Sequence, residues 1–230
     1  MSDFFCNATY WGVPLTIIAY QIGLLAKKKF KLAIFNPMII AVLIIIPILK
    51  ILDVPYDVYY DGNNIMNYLL TPATICLAVP LYEKISILKD NIVAIVVGIL
   101  SGVFTAMISI TLICKIFSLD KEIFTTFLPK SLTTAIGMAI SSELGGIVAI
   151  TVAVIIITGI TGGIISDVIF KIFKIDEPIS KGLALGTASH VIGTVKANEY
   201  GTVSGAVSSL SIATTGLFTV IIAPIFANIY

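Results

Sequence analysis

The sequence contains no arginine, one histidine and one tryptophan, and only 12% of its 230 residues are charged. Soluble domains carry about 25% charged residues. Apolar residues make up 58% of the chain, and the mean hydropathy is +1.07. So little charge cannot cover the surface of a soluble protein, so the composition excludes a soluble enzyme. It predicts an all-α integral membrane protein, and the net charge of +1 gives no indication of a nucleic-acid partner.

The residues that support catalysis or metal binding are also scarce. The three cysteines, Cys6, Cys76 and Cys114, are far apart and form no ligand spacing. The chain has no pair of catalytic acids, no nucleophile with a neighbouring base and no glycine-rich phosphate loop. We therefore expect no enzyme activity, no metal and no cofactor.

Eight apolar segments are long enough, or nearly long enough, to enter a bilayer. They are residues 11–26, 32–52, 65–82, 92–117, 127–141, 147–173, 182–197 and 203–229. The fifth is short and rich in serine and threonine. Helix-breaking residues interrupt the third segment at Pro72 and Pro80 and the seventh at Gly186 and Gly193, while Pro129 begins the fifth. Broken segments in corresponding places are typical of secondary transporters.

The two halves of the chain match each other at a shift of 114–116 residues. Examples are Thr71 with Thr187 at a shift of 116 and Gly102 with Gly216 at a shift of 114. The matches keep their order and include polar residues. We therefore predict one polytopic domain, residues 1–230, built from repeats at about residues 8–117 and 124–230.

The lysines indicate how the segments cross, because cytoplasmic loops carry more positive charge. If all eight segments cross, the 14 lysines divide seven against seven. If the third and seventh segments are re-entrant hairpins, eleven lysines lie inside and three lie outside, namely Lys50, Lys84 and Lys89. We therefore predict two inverted four-segment repeats, each with a re-entrant third segment. A broken helix that crosses fully remains the alternative.

Polar side chains concentrate at the predicted breaks and suggest a binding site. A half-helix N-terminus offers free N–H groups and a partial positive charge, which together with hydroxyl groups suits a small anion. The candidate binding residues are Thr71, Thr74, Ser131, Thr133, Thr134, Thr187, Ser189, His190 and Thr194. Each hydroxyl could instead bond its own backbone, and His190 could be structural. Lys130 is either a counter-charge for the substrate or an anchor at the membrane interface.

Four stretches resemble the LrgB/CidB family: residues 70–82 (LTPATICLAVPLY), 128–134 (LPKSLTT), 141–146 (SSELGG) and 182–194 (GLALGTASHVIGT). Lys196 stands where that family often has arginine. The resemblance implies a bacterial plasma-membrane protein that acts beside a small LrgA/CidA-type membrane protein. Family members are described as antiholin-like regulators of murein hydrolases, and relatives move glycolate, glycerate or pyruvate.

The expected function is therefore the transport of small monocarboxylates by alternating access at a site near the bilayer midplane. The alternative is a non-transporting, antiholin-like regulator of murein hydrolase activity and autolysis. The expected partners are the bilayer, a small carboxylate, the LrgA/CidA-type protein and further copies of the chain, with no nucleic acid.

Overall fold

A computed structural model describes residues 11–30, 37–76 and 78–230, and their regular structure is helical. The helices are α1 (Gly12–Phe30), α2 (Pro37–Ile51), α3 (Tyr56–Asp61), α4 (Asn64–Cys76), α5 (Ala78–Glu83), α6 (Ile85–Asp90), α7 (Ile92–Ile116), α8 (Lys121–Phe127), α9 (Thr134–Glu143), α10 (Val148–Ile172), α11 (Pro178–Glu199) and α12 (Thr202–Ile229). The chain divides into two compact units, Met1–Cys76 and Leu77–Tyr230.

The first unit packs α1 against α2. A Cβ at Gly23 would lie 2.7 Å from the backbone of Pro37, so glycine permits this close contact. The helix α4 runs without a break through residues 71–74 and contains Pro72. The predicted interruption at Pro72 is therefore wrong, because the helix continues to Cys76. Pro80 lies in the first turn of α5, which belongs to the second unit.

Three helices of the second unit, α7, α10 and α12, are long and apolar enough to cross a membrane. The shortest have 25 residues, about 37 Å of helix, which exceeds the ~30 Å of a hydrocarbon core. On α7 the buried side chains Ile95, Ile99, Val103 and Met107 form one stripe. This stripe belongs to the main core together with Val207 and Ala223 of α12.

The helix α11 is a hairpin rather than a straight helix. His190 has φ 43° and ψ −136°, which breaks the helix into arm one (residues 178–189) and arm two (residues 191–199). A Cβ at Gly193 would lie 2.3 Å from the carbonyl oxygen of Leu185, eight residues earlier. In a straight helix these residues would be about 12 Å apart. The chain therefore reverses direction at His190.

The neighbours of α11 confirm the reversal. Arm one runs parallel to α12, because Gly182 lies against Ser204 and Gly186 against Ser208. Arm two runs antiparallel to α12, since Thr194 bonds Ser208 while Asn198, later in the arm, lies against Gly205, earlier in α12. The contact pairs His190–Ile155, Lys196–Asp167 and Tyr200–Phe170 show that arm two runs parallel to α10.

A second hairpin, which we call the α8–α9 hairpin, spans residues 121–143. The helix α9 runs antiparallel to α10, because Gly137 lies against Ile155 and Ser141 bonds Thr151. In α8, the Thr126 hydroxyl accepts a hydrogen bond from the backbone N–H of Ile147, just before α10 begins. Both arms therefore open beside the start of α10. The fifth segment was expected to cross the membrane, and the structure shows instead that it turns back.

The helices α7 and α12 run in the same direction. Gly98 lies against Leu183 and Gly102 against Thr187, so α7 is parallel to arm one and hence to α12. At the far end, the Tyr230 hydroxyl donates to the carbonyl oxygen of Leu119, just after α7. These helices are the fourth segments of the two predicted repeats. Their parallel course differs from the antiparallel course that the inverted arrangement requires.

The second unit therefore has two distinct ends. The α11 end holds the open side of the α11 hairpin, the start of α7 and the end of α10. The α8–α9 end holds the open side of the α8–α9 hairpin, the end of α7 and the start of α10. Lys121 and Lys174 lie at opposite ends, whereas the sequence places them on the same side of the membrane.

Candidate functional site

The two hairpins both contact Ile155 of α10 close to their tips. The Nε2–H of His190, at the tip of the α11 hairpin, donates to the carbonyl oxygen of Ile155 at 3.0 Å. The side chain of Ile155 lies 2.3 Å from where a Cβ of Gly137, near the tip of the α8–α9 hairpin, would stand. Ile155 is fully buried between them. The break at His190 and the turn of the α8–α9 hairpin thus lie within the bundle, and irregular backbone inside a membrane is tolerated only when protein covers it or it lines a wet cavity.

A cavity of about 500 Å³ lies between α7, arm one and the turn of the α8–α9 hairpin. In the part of the chain that the structure describes, the lining carries six hydroxyl groups and one charged side chain, Lys130. The lining residues are Gly98, Ser101, Gly102, Thr105, Ala106, Ser109, Lys130, Ser131, Ser180, Leu183, Ala184, Thr187 and Ala188. No carboxylate is among them. The cavity wall is therefore mostly apolar, with hydroxyl groups and one ammonium group set into it, and it is level with the middle of α7.

Thr187 is a buried lining residue whose bonding is incomplete. It is 7% exposed, and its hydroxyl has no hydrogen-bond partner among the described residues. The hydroxyls of Ser101, Thr105 and Ser109 instead donate to backbone carbonyls of α7. Buried polar groups are nearly always paired, so an unpaired hydroxyl beside a cavity indicates a place for a ligand or water.

Two glycines on α7 determine how closely arm one approaches. A Cβ at Gly98 would lie 2.1 Å from Leu183, and a Cβ at Gly102 would lie 2.6 Å from Thr187. Larger residues would displace arm one or fill the cavity. The glycines therefore fix both the helix contact and the space available to a ligand.

The structure divides the predicted binding residues into two groups. Ser131 and Thr187 line the cavity. Ser189, His190 and Thr194 instead contact α10 and α12: Ser189 lies against Gly162, and the Thr194 hydroxyl is 2.7 Å from that of Ser208. These three residues attach the α11 hairpin to α10 and α12, on the side away from the cavity.

The remaining predicted binding residues occupy different positions. Thr133 and Thr134 begin α9, and Thr133 makes no side-chain cap bond. Thr71 and Thr74 are helical, and their side chains lie outside the described residues. Whether they take part in a site therefore remains a prediction.

The predicted breaks also have different outcomes. Pro129 lies in the turn between α8 and α9, where the chain does reverse. Gly186 and Gly193 are wrong as breaks, because both lie within arms of α11 and the break is at His190. A Cβ at Gly186 would lie 2.4 Å from the carbonyl oxygen of Ser208. Both glycines therefore allow close packing rather than ending a helix.

The helix α7 contributes to the cavity in a way that the sequence prediction did not include. Ser101, Thr105 and Ser109 follow one another at intervals of four residues, so they lie on one face of α7. The two glycines of the lining, Gly98 and Gly102, lie on the same face. That spacing, in an otherwise apolar helix, is the signal that would have identified them.

An ion-pair network closes the open side of the α11 hairpin. The Nζ of Lys196 lies 2.9 Å from Asp167 Oδ2 of α10 and 2.9 Å from Glu199 Oε2. The Tyr200 hydroxyl donates to Asp167, and the Lys181 ammonium of arm one lies 5.2 Å from the centre of the Tyr200 ring. The network thus connects α10 to both arms.

Comparisons with known proteins identify the family of this chain. The model of the LrgB-like family matches residues 16–229. The holin-like protein CidB of Staphylococcus aureus (strain Mu50 / ATCC 700699) is 35% identical over 218 residues, covering 95% of each chain. The antiholin-like protein LrgB of Bacillus cereus (strain B4264) is 34% identical over 218 residues, covering 94% of this chain and 95% of its own. No solved structure matches. With three spanning helices and these relatives, the chain is a multi-pass protein of the bacterial membrane and belongs to the LrgB-like family.

Proposed function

We propose that this protein carries small monocarboxylates across the membrane and that the cavity beside Thr187 is its binding site. The observation that carries the proposal is this hydroxyl-lined cavity at mid-depth, between two hairpins that enter from opposite ends of the bundle. Three features of the described residues favour a small anionic ligand: a buried hydroxyl without a partner, two helix breaks and a lining without carboxylates.

The size and position of the cavity support transport rather than a static role. Small-molecule sites are clefts of about 300–1,000 Å³, and this cavity lies within that range. Each hairpin opens toward one end of the bundle. Small movements of arm one against α7 would therefore open the cavity to one side and then to the other. Pyruvate, glycolate and lactate are the candidate substrates that the family resemblance implies.

The relatives' names favour a second candidate, an antiholin-like regulator that acts with a small LrgA/CidA-type membrane protein. The similar proteins are named holin-like and antiholin-like, which supports this candidate more directly than it supports a carrier. Neither name describes an enzyme. In this candidate the hairpins and the cavity would stabilise an assembly, with that partner or with further copies of the chain, rather than bind a substrate.

Uptake by proteoliposomes distinguishes the two candidates. Purified protein, with and without the LrgA/CidA-type partner, is tested for uptake of labelled pyruvate, glycolate and lactate. Thr187→Val keeps the side-chain shape but removes the unpartnered hydroxyl. Thr111→Val is the matched control, because the Thr111 hydroxyl bonds Met107 of α7 and does not line the cavity.

The carrier is expected to take up at least one of these carboxylates, with uptake lowered by Thr187→Val and unchanged by Thr111→Val. If the protein and its partner together move none of them, the carrier proposal fails and the regulator becomes the better account.

A further inference from the structure

Among the described residues, Lys130 is the one charged side chain in the lining of the cavity. It lies in the turn of the α8–α9 hairpin and is half-buried. Its ammonium donates to the Ser131 hydroxyl at 3.1 Å, and no carboxylate among the described residues pairs with it. An ammonium group has three N–H donors, so two remain available.

The depth of Lys130 along the spanning helices indicates that its charge serves ligand binding. The α7 residues that share the cavity with it, from Gly98 to Ser109, occupy the middle of a spanning helix. Ionisable groups at that depth are costly and normally face a partner or a wet cavity. A lysine that served as an interfacial anchor would instead lie near a helix end, as Lys115 does on α7.

We propose that Lys130 is the residue that selects the charge of the ligand, by forming an ion pair with the carboxylate of the substrate inside the cavity. This inference rests on the proposed carrier function. Ser131 positions the ammonium, and the hydroxyl of Thr187, on the opposite wall, donates to the ligand. The α8–α9 hairpin thus contributes the charge and the α11 hairpin contributes the neutral donor, so the ligand bridges the two hairpins.

The proposal predicts which molecules the cavity accepts. A small monocarboxylate can pair with the ammonium and accept a hydrogen bond from the hydroxyl. A neutral molecule of equal shape leaves the charge of the ammonium uncompensated. A dianion is disfavoured, because the lining residues that the structure describes offer a single positive charge. The preference for pyruvate over its neutral amide, pyruvamide, should therefore depend on Lys130.

The test measures binding of pyruvate and pyruvamide to purified protein in lipid nanodiscs. Lys130→Met removes the charge and keeps an unbranched side chain, while Lys130→Arg keeps the charge. Lys121→Met is the control, because Lys121 is an exposed lysine at the start of α8, outside the cavity. Thermal unfolding of each variant verifies that it is folded.

Lys130→Met is expected to weaken pyruvate binding about 10- to 100-fold, the loss typical of one charge-assisted hydrogen bond, and to leave pyruvamide binding nearly unchanged. Lys130→Arg should retain much of the preference for the anion, and Lys121→Met all of it. If wild-type protein binds pyruvate and Lys130→Met retains the full preference, the role of Lys130 is refuted while the carrier stands. If wild-type protein binds no small carboxylate, both proposals fail.

Discussion

His190 combines an unusual backbone conformation with a side-chain bond that holds the hairpin tip in place. Its positive φ of 43° is a conformation that L-residues rarely adopt. Its ring donates to the carbonyl oxygen of Ile155, and its own carbonyl oxygen accepts from the Thr194 hydroxyl. The residue therefore fixes both the reversal of α11 and its docking on α10.

The first prediction separates the backbone role of His190 from that of its ring. His190→Ala and His190→Gly both remove the bond to Ile155, but glycine accepts a positive φ at no steric cost. His190→Ala should therefore be less stable than His190→Gly by about 1–2 kcal/mol. Thermal unfolding in detergent, followed by circular dichroism, measures the difference. Equal stability of the two variants would show that the tip is not strained.

The second prediction concerns the glycines of arm one. A Cβ at Gly186 would lie 2.4 Å from the backbone of Ser208, whereas one at Gly163 of α10 would meet nothing within 4 Å. Gly186→Ala should therefore lower the free energy of unfolding by about 1–3 kcal/mol, the usual cost of overpacking. Gly163→Ala, the matched control, should be neutral or slightly stabilising. A Gly186→Ala variant as stable as this control would contradict the close contact with α12.

At the residue scale, the sequence identified the region of the α11 break but not its position. Polar residues 186–190 do contain the reversal, as the concentration of hydroxyls and glycines indicated. Gly186 and Gly193 were assigned to the break because glycine signals both a helix end and a close helix contact. The local pattern cannot separate these two uses, because the close contacts of Gly186 with Ser208 and of Gly193 with Leu185 form only when the chain folds.

At the scale of elements, α11 begins with a defined cap. Pro178 occupies the first turn, and the side chain of Glu177 accepts a hydrogen bond from the backbone N–H of Ser180 at 2.6 Å. Burial raises the pKa of Glu177, but the hydrogen bonds from Ile179 and Ser180 together lower it by more than burial raises it. The pKa therefore lies below its ordinary value of 4.5. The ionised carboxylate thus stabilises the start of the hairpin.

The third prediction follows from this lowered pKa. A carboxyl whose pKa is lower in the folded state stabilises the protein above its unfolded pKa and loses that contribution as the pH falls through the folded pKa. The wild type should therefore melt higher than Glu177→Gln at pH 6, and the difference should shrink below about pH 4.5. Melting curves of both proteins across this range provide the test. A difference that stays constant down to pH 3 would exclude a role for the charge.

The fifth segment, which turns back, was harder to predict than the segments that cross. Composition predicted α7, α10 and α12 well, because about 20 apolar residues in a row have few other solutions. The α8–α9 hairpin consists of two short arms, and its apolar content resembles that of one short crossing helix. Only contacts such as Thr126 with Ile147 distinguish them. Conversely, Pro72 predicted a helix break, but α4 continues through this proline.

At the scale of the whole second unit, the directions of the helices change the meaning of the lysine distribution. The α11 end carries Lys84, Lys89, Lys171, Lys174, Lys181 and Lys196, and the α8–α9 end carries Lys115 and Lys121. Six against two is a clear asymmetry, and Lys130 belongs to neither end because it lines the cavity. The positive-inside rule therefore predicts that the α11 end faces the cytoplasm.

The fourth prediction is the sidedness of three single-cysteine variants, Lys89→Cys, Lys121→Cys and Lys174→Cys, in a background in which the native cysteines are replaced by alanine. A membrane-impermeant thiol reagent applied to intact cells should label Lys121→Cys but neither of the others, which should react only after the membrane is opened. Labelling of all three in opened membranes is the control for reactivity. The crossing pattern expected from the lysine count alone puts Lys89 outside and Lys121 with Lys174 inside, so labelling of Lys89→Cys alone would favour that pattern. It would also contradict the α8–α9 hairpin, because a fifth segment that turns back must leave the ends of α7 and α10 on opposite sides of the membrane.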